Sequence, residues 1–332
     1  MLLFPFCLGE GLTTAAGQAP NDLLAGTSCG EPMRLTFLGT AGSWPTKERS
    51  ASAIALDTEK ELLLLDCGEG TQRQFFQSSA SFMRVRRVFL THFHGDHFLG
   101  LPGLIQSMCL NNRTEPLDIY GPPDAEEMVG RALQMGYFTL RFPVTVHPLS
   151  AGSTVELDGY TVRTAATIHP VPSLAYRVEE GPKRGRFDGE KARSLGIQGR
   201  DFAKLETGEA VRVGTTVVHP SDVMGPPRSG RSVVYSGDTA PSEEVRRLAH
   251  RATVLIHEAT VTQELEVQAN EWGHSSARQA AEIANAAEVS TMFLTHFSAR
   301  YKELEPLESE ARILFPGSLT ARDLLDHLIH QP

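Results

Sequence analysis

Short apolar runs recur along this chain, and most of them close on a glycine turn, an aspartate or a histidine. Met33-Arg34-Leu35-Thr36-Phe37-Leu38 alternates and then reaches Gly39-Thr40-Ala41-Gly42, which predicts a strand and a turn. Ala53 to Leu56 and Leu62 to Leu65 predict a hairpin over Thr58-Glu59-Lys60. Further strands are predicted at Val88 to Leu90, Leu117 to Tyr120, Val144 to Pro148, Thr154 to Leu157, Thr161 to Thr167, Arg231 to Tyr235, Thr253 to Ile256 and Thr291 to Leu294. Helical periodicity separates many of them. It covers Thr71 to Phe82, His97 to Met108, Ala125 to Met135, Pro241 to His250, Ser275 to Ala287 and Glu303 to Ile313, with a last amphipathic helix over Ala321 to Ile329. Strand followed by helix predicts an α/β protein. Its halves, about 33 to 170 and 215 to 330, are expected to form two sheet-plus-helix layers packed face to face.

The ends of these strands carry the chemistry. Strands precede His92, His169, Asp238, His257 and His296. The densest cluster is Thr91-His92-Phe93-His94-Gly95-Asp96-His97, directly behind the apolar Val88-Phe89-Leu90. That places it at the carboxyl end of a buried strand, where open α/β sheets bind ligands. Imidazole with carboxylate suits zinc, and also iron or manganese. His92 and His94 can share one ion if the loop curls, and Asp96 and His97 fall further round, where they suit a second. Asp66 also ends a strand, either as an acceptor that orients a metal-bound histidine or as an ordinary turn aspartate.

Composition narrows the setting. A chain of 332 residues with 41% hydrophobic content can bury a substantial core. Cys7, Cys29, Cys67 and Cys109 form no CxxC pair, which points to a reducing, cytoplasmic compartment and non-catalytic thiols. No stretch of the sequence is long and apolar enough to cross a membrane. Residues 1 to 32 contain no Lys or Arg, and their apolar start is broken by Pro5. They are expected to be a disordered leader or a start-site extension, with one domain over 33 to 332. The net charge of −9 argues against non-specific nucleic-acid binding by the surface as a whole.

One stretch breaks the strand-and-helix rhythm. From about 180 to 209, Lys183, Arg184, Arg186, Lys191, Arg193, Arg200 and Lys204 are mixed with acidic residues and punctuated by glycines. It is too polar for a core element. It is either a solvated surface excursion or an arm that touches phosphates.

Taken together, the motifs resemble a known group. His92-Phe93-His94-Gly95-Asp96-His97 resembles the HxHxDH signature of the metallo-β-lactamase fold. Asp66-Cys67-Gly68-Glu69-Gly70-Thr71, Gly185-Arg186-Phe187-Asp188, Tyr235-Ser236-Gly237-Asp238-Thr239, His257-Glu258-Ala259-Thr260, Gly273-His274-Ser275-Ser276 and Leu294-Thr295-His296-Phe297 resemble, in order, the short form of ribonuclease Z, the tRNA 3′-processing endoribonuclease. The resemblance runs from Met33 to the C-terminus. It implies a four-layer αββα sandwich and two Zn²⁺ per subunit, with Mn²⁺ as an alternative in activity. It implies His92, His94, His169 and Asp238 at one ion, and Asp96, His97, Asp238 and His296 at the other. By the same resemblance Asp96 is the base and His274 protonates the leaving group; either Glu258 or His257 is placed in sequence to orient His274. The 180–209 arm would hold precursor tRNA, and the enzyme would be a homodimer. Two departures stand out. The arm lacks the family's Gly-Pro element near Leu195 to Phe202, and Ser50 stands where asparagine is common.

The implied product is a tRNA with a 3′-hydroxyl and a trailer with a 5′-phosphate. Competing readings are a small-molecule phosphodiesterase or arylsulfatase-like enzyme of the same fold, a non-catalytic module, and a di-iron redox protein. The intact set of seven histidines and aspartates argues against the second. The absence of a flavin-domain resemblance argues against the third.

Overall fold

The computed structural model describes residues 33–58 and 60–331; the leader expected over 1 to 32 lies outside them. Six strands open the fold: β1 (Met33–Gly39), β2 (Ala53–Asp57), β3 (Leu62–Leu65), β4 (Val85–Phe89), β5 (Leu117–Gly121) and β6 (Val144–Pro148). They lie side by side in chain order. Three more, β7 (Thr154–Leu157), β8 (Tyr160–Ala166) and β9 (Leu174–Glu180), begin a second sheet. A small hairpin, β10 (Val211–Val213) and β11 (Thr216–Val218), stands apart. The second sheet is completed by β12 (Ser232–Tyr235), β13 (Val254–Glu258), β14 (Thr291–Thr295) and β15 (Ser318–Thr320), and β16 (Asp326–Ile329) returns to pair with β1.

Three hydrophobic clusters define the layers. Leu35, Phe37, Phe89, Tyr176, Ile256 and Phe293 are among those that fill the space between the sheets. Leu64, Val88, Leu104 and Ile119 pack the first sheet against its helices, and Leu255, Ala280, Ala284 and Leu294 do so for the second. The result is the expected αββα sandwich. Strands β3 to β6 run parallel, as do β12 to β15, so their carboxyl ends collect along one rim.

Several elements differ from the sequence reading. The helix expected over Ala321 to Ile329 is instead a turn followed by β16. Leu324 adopts φ 66° and donates its N–H to the Phe37 carbonyl at 2.6 Å. The open edge of β1 offers that segment backbone partners, and such tertiary pairing outweighs local helical pattern. The two halves also interleave rather than divide near residue 170. β7 and β8 belong to the second sheet, and the C-terminal strand belongs to the first. Strand β9 was hidden behind Pro170 and Pro172. It is fixed by tertiary contacts, with Leu174 N–H donating to the Thr91 carbonyl and the Tyr176 hydroxyl to the Leu90 carbonyl at 2.6 Å.

The polar excursion leaves after β9 and returns at β12. It runs well past Glu209, through the β10–β11 hairpin and the helix Pro220–Val223. Its stem is pinned where Lys183 pairs with Arg228 and Phe187 with Met224. Gly185 is required there, because a Cβ would lie 1.9 Å from the Gly225 carbonyl oxygen. Ala192, Ile197, Leu205, Val211, Val218 and Val223 give the excursion a small core of its own.

Candidate metal centre

Strand ends bring the candidate residues to one place. The ligand atoms of His92, His94, His169 and Asp238 lie within 4.8 Å of one another, and so do those of Asp96, His97 and His296. Asp238 sits between the two sets. Its Oδ2 is 3.7 Å from His92 Nε2, while its Oδ1 is 3.4 Å from His97 Nε2 and 3.3 Å from His296 Nε2. Every sequence-derived ligand candidate is in this cluster.

Hydrogen bonds around the rings fix which nitrogen faces inward. The Thr91 hydroxyl gives its proton to Asp66 Oδ2 at 2.9 Å, so His92 Nδ1 donates to Thr91 Oγ1 at 3.0 Å. The Thr260 hydroxyl gives its proton to Glu258 Oε2 at 2.6 Å, so His296 Nδ1 donates to Thr260 Oγ1 at 2.9 Å. His97 Nδ1 donates to Asp66 Oδ2 at 2.7 Å, and His169 Nδ1 to the Gly273 carbonyl at 3.0 Å. Each of these four rings therefore turns its Nε2 toward the centre, and a neutral ring presents a lone pair there.

Those lone pairs converge without a proton for every contact. His94 Nδ1 is 3.0 Å from His92 Nε2 and 3.1 Å from His169 Nε2, and His97 Nε2 is 3.3 Å from His296 Nε2. A tetrahedral zinc with nitrogens at about 2.0–2.1 Å separates them by about 3.3–3.4 Å. The buried Asp238 Oδ1 has no hydrogen-bond partner. Crowded imidazole lone pairs around an orphaned carboxylate oxygen are what a divalent cation resolves, so the donors fit two such ions.

The electrostatics agree. Burial and the neighbouring His97 hold His92 well below the ordinary imidazole range, and burial lowers His169, so both stay neutral donors. Burial opposes ionisation of Asp238, yet His296 and His97 hold its carboxyl well below the usual range. Burial would also lower His97, but Asp238 and Asp66 outweigh it and push that ring well up. A divalent cation held by these carboxylates would favour the neutral ring instead.

The surrounding residues separate the remaining candidates. Asp66 is fully buried and also accepts from Thr91 N–H at 2.7 Å and from the Tyr235 hydroxyl at 2.9 Å, so it is an orienting acceptor and not a plain turn residue. Glu258 reaches His274, with Nδ1 to Oε1 at 2.9 Å. His257, the preceding residue on β13, points to the opposite face and bonds the Glu258 carbonyl at 2.7 Å, so it does not orient His274. Glu258 outweighs the desolvation of His274 and pushes it up to about 9. Asp96 is held by Ser43, whose N–H donates to Oδ2 at 2.7 Å. Burial pushes the Cys67 thiol up to about 12, which leaves it protonated beside Asp66.

Thr91, Thr260, Gly273 and Ser43 went unassigned in the sequence. Their roles are to hold protons or carbonyls at a set distance, and no spacing rule announces that. Strain marks the site as well: Ser43, Asp66 and His296 all adopt positive φ, at 67°, 56° and 59°. Gly273 (φ 78°) admits no side chain, since a Cβ would lie 2.8 Å from His169 Nδ1. Replacing Asp66 with alanine removes the partner of His97 Nδ1. A drop of about 10- to 100-fold in metal affinity is expected, measured by competition with a chromogenic chelator.

The chain is 50% identical over 294 residues to ribonuclease Z of Methanothermobacter thermautotrophicus, a match covering 88% of this chain and 95% of that one. The chain belongs to the ribonuclease Z family. Ribonuclease Z of Gemmatimonas aurantiaca is 43% identical, with 88% and 94% coverage. Among solved structures, human tRNase Z, short form, superposes with a TM-score of 0.65 at 26% identity, covering 90% of this chain and 99% of that chain. The metallo-β-lactamase fold protein YhfI of Bacillus subtilis shares the fold, with a TM-score of 0.66 at 20% identity and coverage of 90% and 100%. Family models agree on the broader class: anti-Pycsar protein Apyc1 matches residues 33–179, and the beta-lactamase superfamily domain matches 216–297. Within the ribonuclease Z frame, the basic residues of the excursion are placed unevenly. Lys183 is paired with Glu180 at 3.5 Å and Lys204 with Asp201 at 2.8 Å. Arg184 binds the Glu206 carbonyl, and Arg193 lies over the Phe202 ring. Arg186, Lys191 and Arg193 line a groove of about 640 Å³ together with Asp188, Glu190 and Asp222.

Proposed function

We propose that this protein is the metal-dependent endoribonuclease that removes the 3′ trailer from precursor tRNA, leaving a tRNA 3′-hydroxyl and a trailer 5′-phosphate. The observation that carries the reading is the complete two-set donor cluster within a chain half identical to a ribonuclease Z. His92, His94, His169 and Asp238 would hold one Zn²⁺, and Asp96, His97, His296 and Asp238 the other, with Mn²⁺ an alternative. Two such ions supply Lewis-acid polarisation of a phosphodiester and a nucleophile at neutral pH. The chain's own part is to orient and to move protons. Asp96, steered by the Ser43 N–H, accepts a proton from the attacking side. His274, with Nδ1 held by Glu258, presents Nε2 to the leaving 3′-oxygen.

The excursion would act as the tRNA-binding arm, which confines phosphate contacts to one appendage of a chain of net charge −9. Because its stem closes between Lys183 and Arg228, residues 184 to 227 can be replaced by a short turn. That deletion is expected to reduce cleavage of precursor tRNA at least about tenfold, with bis-(p-nitrophenyl) phosphate turnover within about twofold. Loss of both activities together would remove the arm from substrate binding.

Homodimerisation is part of the same proposal. Phe76 and Leu99, with Met135 and Tyr137 on the loop that approaches Gln106, expose large apolar surface on the outer helical face of the first sheet. Tyr137→Asp is expected to convert a dimer to a monomer in sedimentation velocity. A wild type that sediments as a monomer across micromolar concentrations would sink this part. Among the described residues no helix is long and apolar enough to cross a membrane.

A further inference from the structure

We infer that Trp44 and Trp272 are base-stacking platforms on the two flanks of the metal centre, one for each nucleotide bordering the scissile phosphate. The inference rests on the precursor-tRNA reading and deepens it. The chain has only two tryptophans, and they are 62% and 55% exposed. An indole is the largest apolar group a protein can bury, so leaving both in water is a cost that packing alone does not explain.

Their positions supply the reason. Trp44 follows Ser43, whose N–H holds Asp96, and Gly42 before it lies so close to His296 that a Cβ would be 2.8 Å from the ring. Trp272 precedes Gly273, whose carbonyl holds His169, and His274 comes next. The two indoles are thus rooted on segments that touch different donors, Asp96 and His296 on one segment and His169 on the other.

Both roots are held firmly. Trp44 N–H donates to the Gly42 carbonyl at 2.8 Å, and the far end of its loop is anchored by Arg49, which donates to the Tyr301 carbonyl at 2.7 Å. Trp272 and His274 N–H groups both donate to the Ala269 carbonyl, at 3.0 and 2.9 Å. An exposed, planar apolar face on an anchored backbone beside a phosphodiester-cleaving centre suits an unpaired base. Such stacking tolerates any base, because each has a π-face. His274 serves the leaving 3′-oxygen, so the nucleotide bearing that oxygen lies on the Trp272 side. The first trailer nucleotide falls to Trp44.

The test is single-turnover cleavage of a precursor tRNA by the metal-loaded protein, with the base present or abasic at each bordering nucleotide. Trp272→Ala is expected to lower kcat/KM about 5- to 100-fold on the intact substrate. It should cost nothing further when the upstream nucleotide is abasic. Trp44→Ala should behave in the same way toward the first trailer nucleotide, and phenylalanine at either position should restore most of the rate. Equal losses on intact and abasic substrates would mark the indoles as merely structural and overturn the inference. If the wild type does not cut the precursor at all, the tRNA reading fails by itself. The stacking claim is then decided by indole emission, because Trp44→Phe and Trp272→Phe each leave a single tryptophan. Quenching of both by a short single-stranded RNA upholds the platforms, and no quenching in either overturns them.

Discussion

His274→Ala is expected to lower kcat on precursor tRNA by about 10²–10⁴-fold while turnover of bis-(p-nitrophenyl) phosphate stays within about fivefold. The difference follows from the leaving groups. A ribose 3′-alkoxide is strongly basic and needs a proton as the bond breaks, whereas p-nitrophenolate departs without one. In the proposed mechanism His274 supplies that proton. Its Nδ1 is fixed at 2.9 Å from Glu258 Oε1, and Glu258 is itself held by the Thr239 N–H at 2.9 Å. The rival role is a metal ligand, since His274 also clusters with Asp238 and His296. The two roles separate cleanly. A ligand's loss would depress both substrates and reduce metal content, while a proton donor's loss spares the activated diester and leaves the metal in place. Elemental analysis of the gel-filtered variant, beside both rate measurements, makes the decision.

Asp238→Ala is expected to strip both ions, giving well under one metal per chain and a loss of at least about 10³-fold on either substrate. The two carboxylate oxygens of Asp238 face different histidine sets, with Oδ2 toward His92 and Oδ1 toward His97 and His296. Its removal leaves Asp96 as the remaining carboxylate of the two sets and nothing shared between them. His169→Ala is the informative contrast. His169 belongs to one set only, so that variant should retain close to one metal per chain. If Asp238→Ala keeps two ions after dialysis, the shared-carboxylate arrangement is wrong. Thermal melts of the chelated proteins control for folding, since the comparison needs both variants folded before metal is added.

Much of this was legible before any coordinates, and the reasons are local. A histidine or aspartate after a β-branched or leucine-rich run marks a strand end, and parallel strands put those ends on one rim. That pattern marked His92, His169, Asp238, His257 and His296 as a rim, and the family resemblance narrowed the ligands to His92, His94, Asp96, His97, His169, Asp238 and His296. The αββα sandwich followed from strand-helix alternation together with the motif resemblance. What failed to show was everything set by partners distant in sequence. The strand Leu174–Glu180 is held between β8 and β12 and tied across to Leu90 and Thr91, and the C-terminal segment is a strand because β1 has an open edge.

The choice between His257 and Glu258 shows the division most clearly. Sequence placed both next to each other at the end of one strand, and chemistry allowed either to hold His274. Only the pleat of β13, set by its neighbours in the sheet, turns Glu258 toward the centre and His257 away. The donors were decided by the sequence by itself, because a side chain's capacity to bind metal or carry a proton is intrinsic. Their roles were decided by the tertiary structure: which nitrogen faces inward, which carboxylate is shared and which residue orients another. Those depend on distances of about 3 Å between segments up to 200 residues apart, such as His296 and Asp96, and only the packed sheets set them.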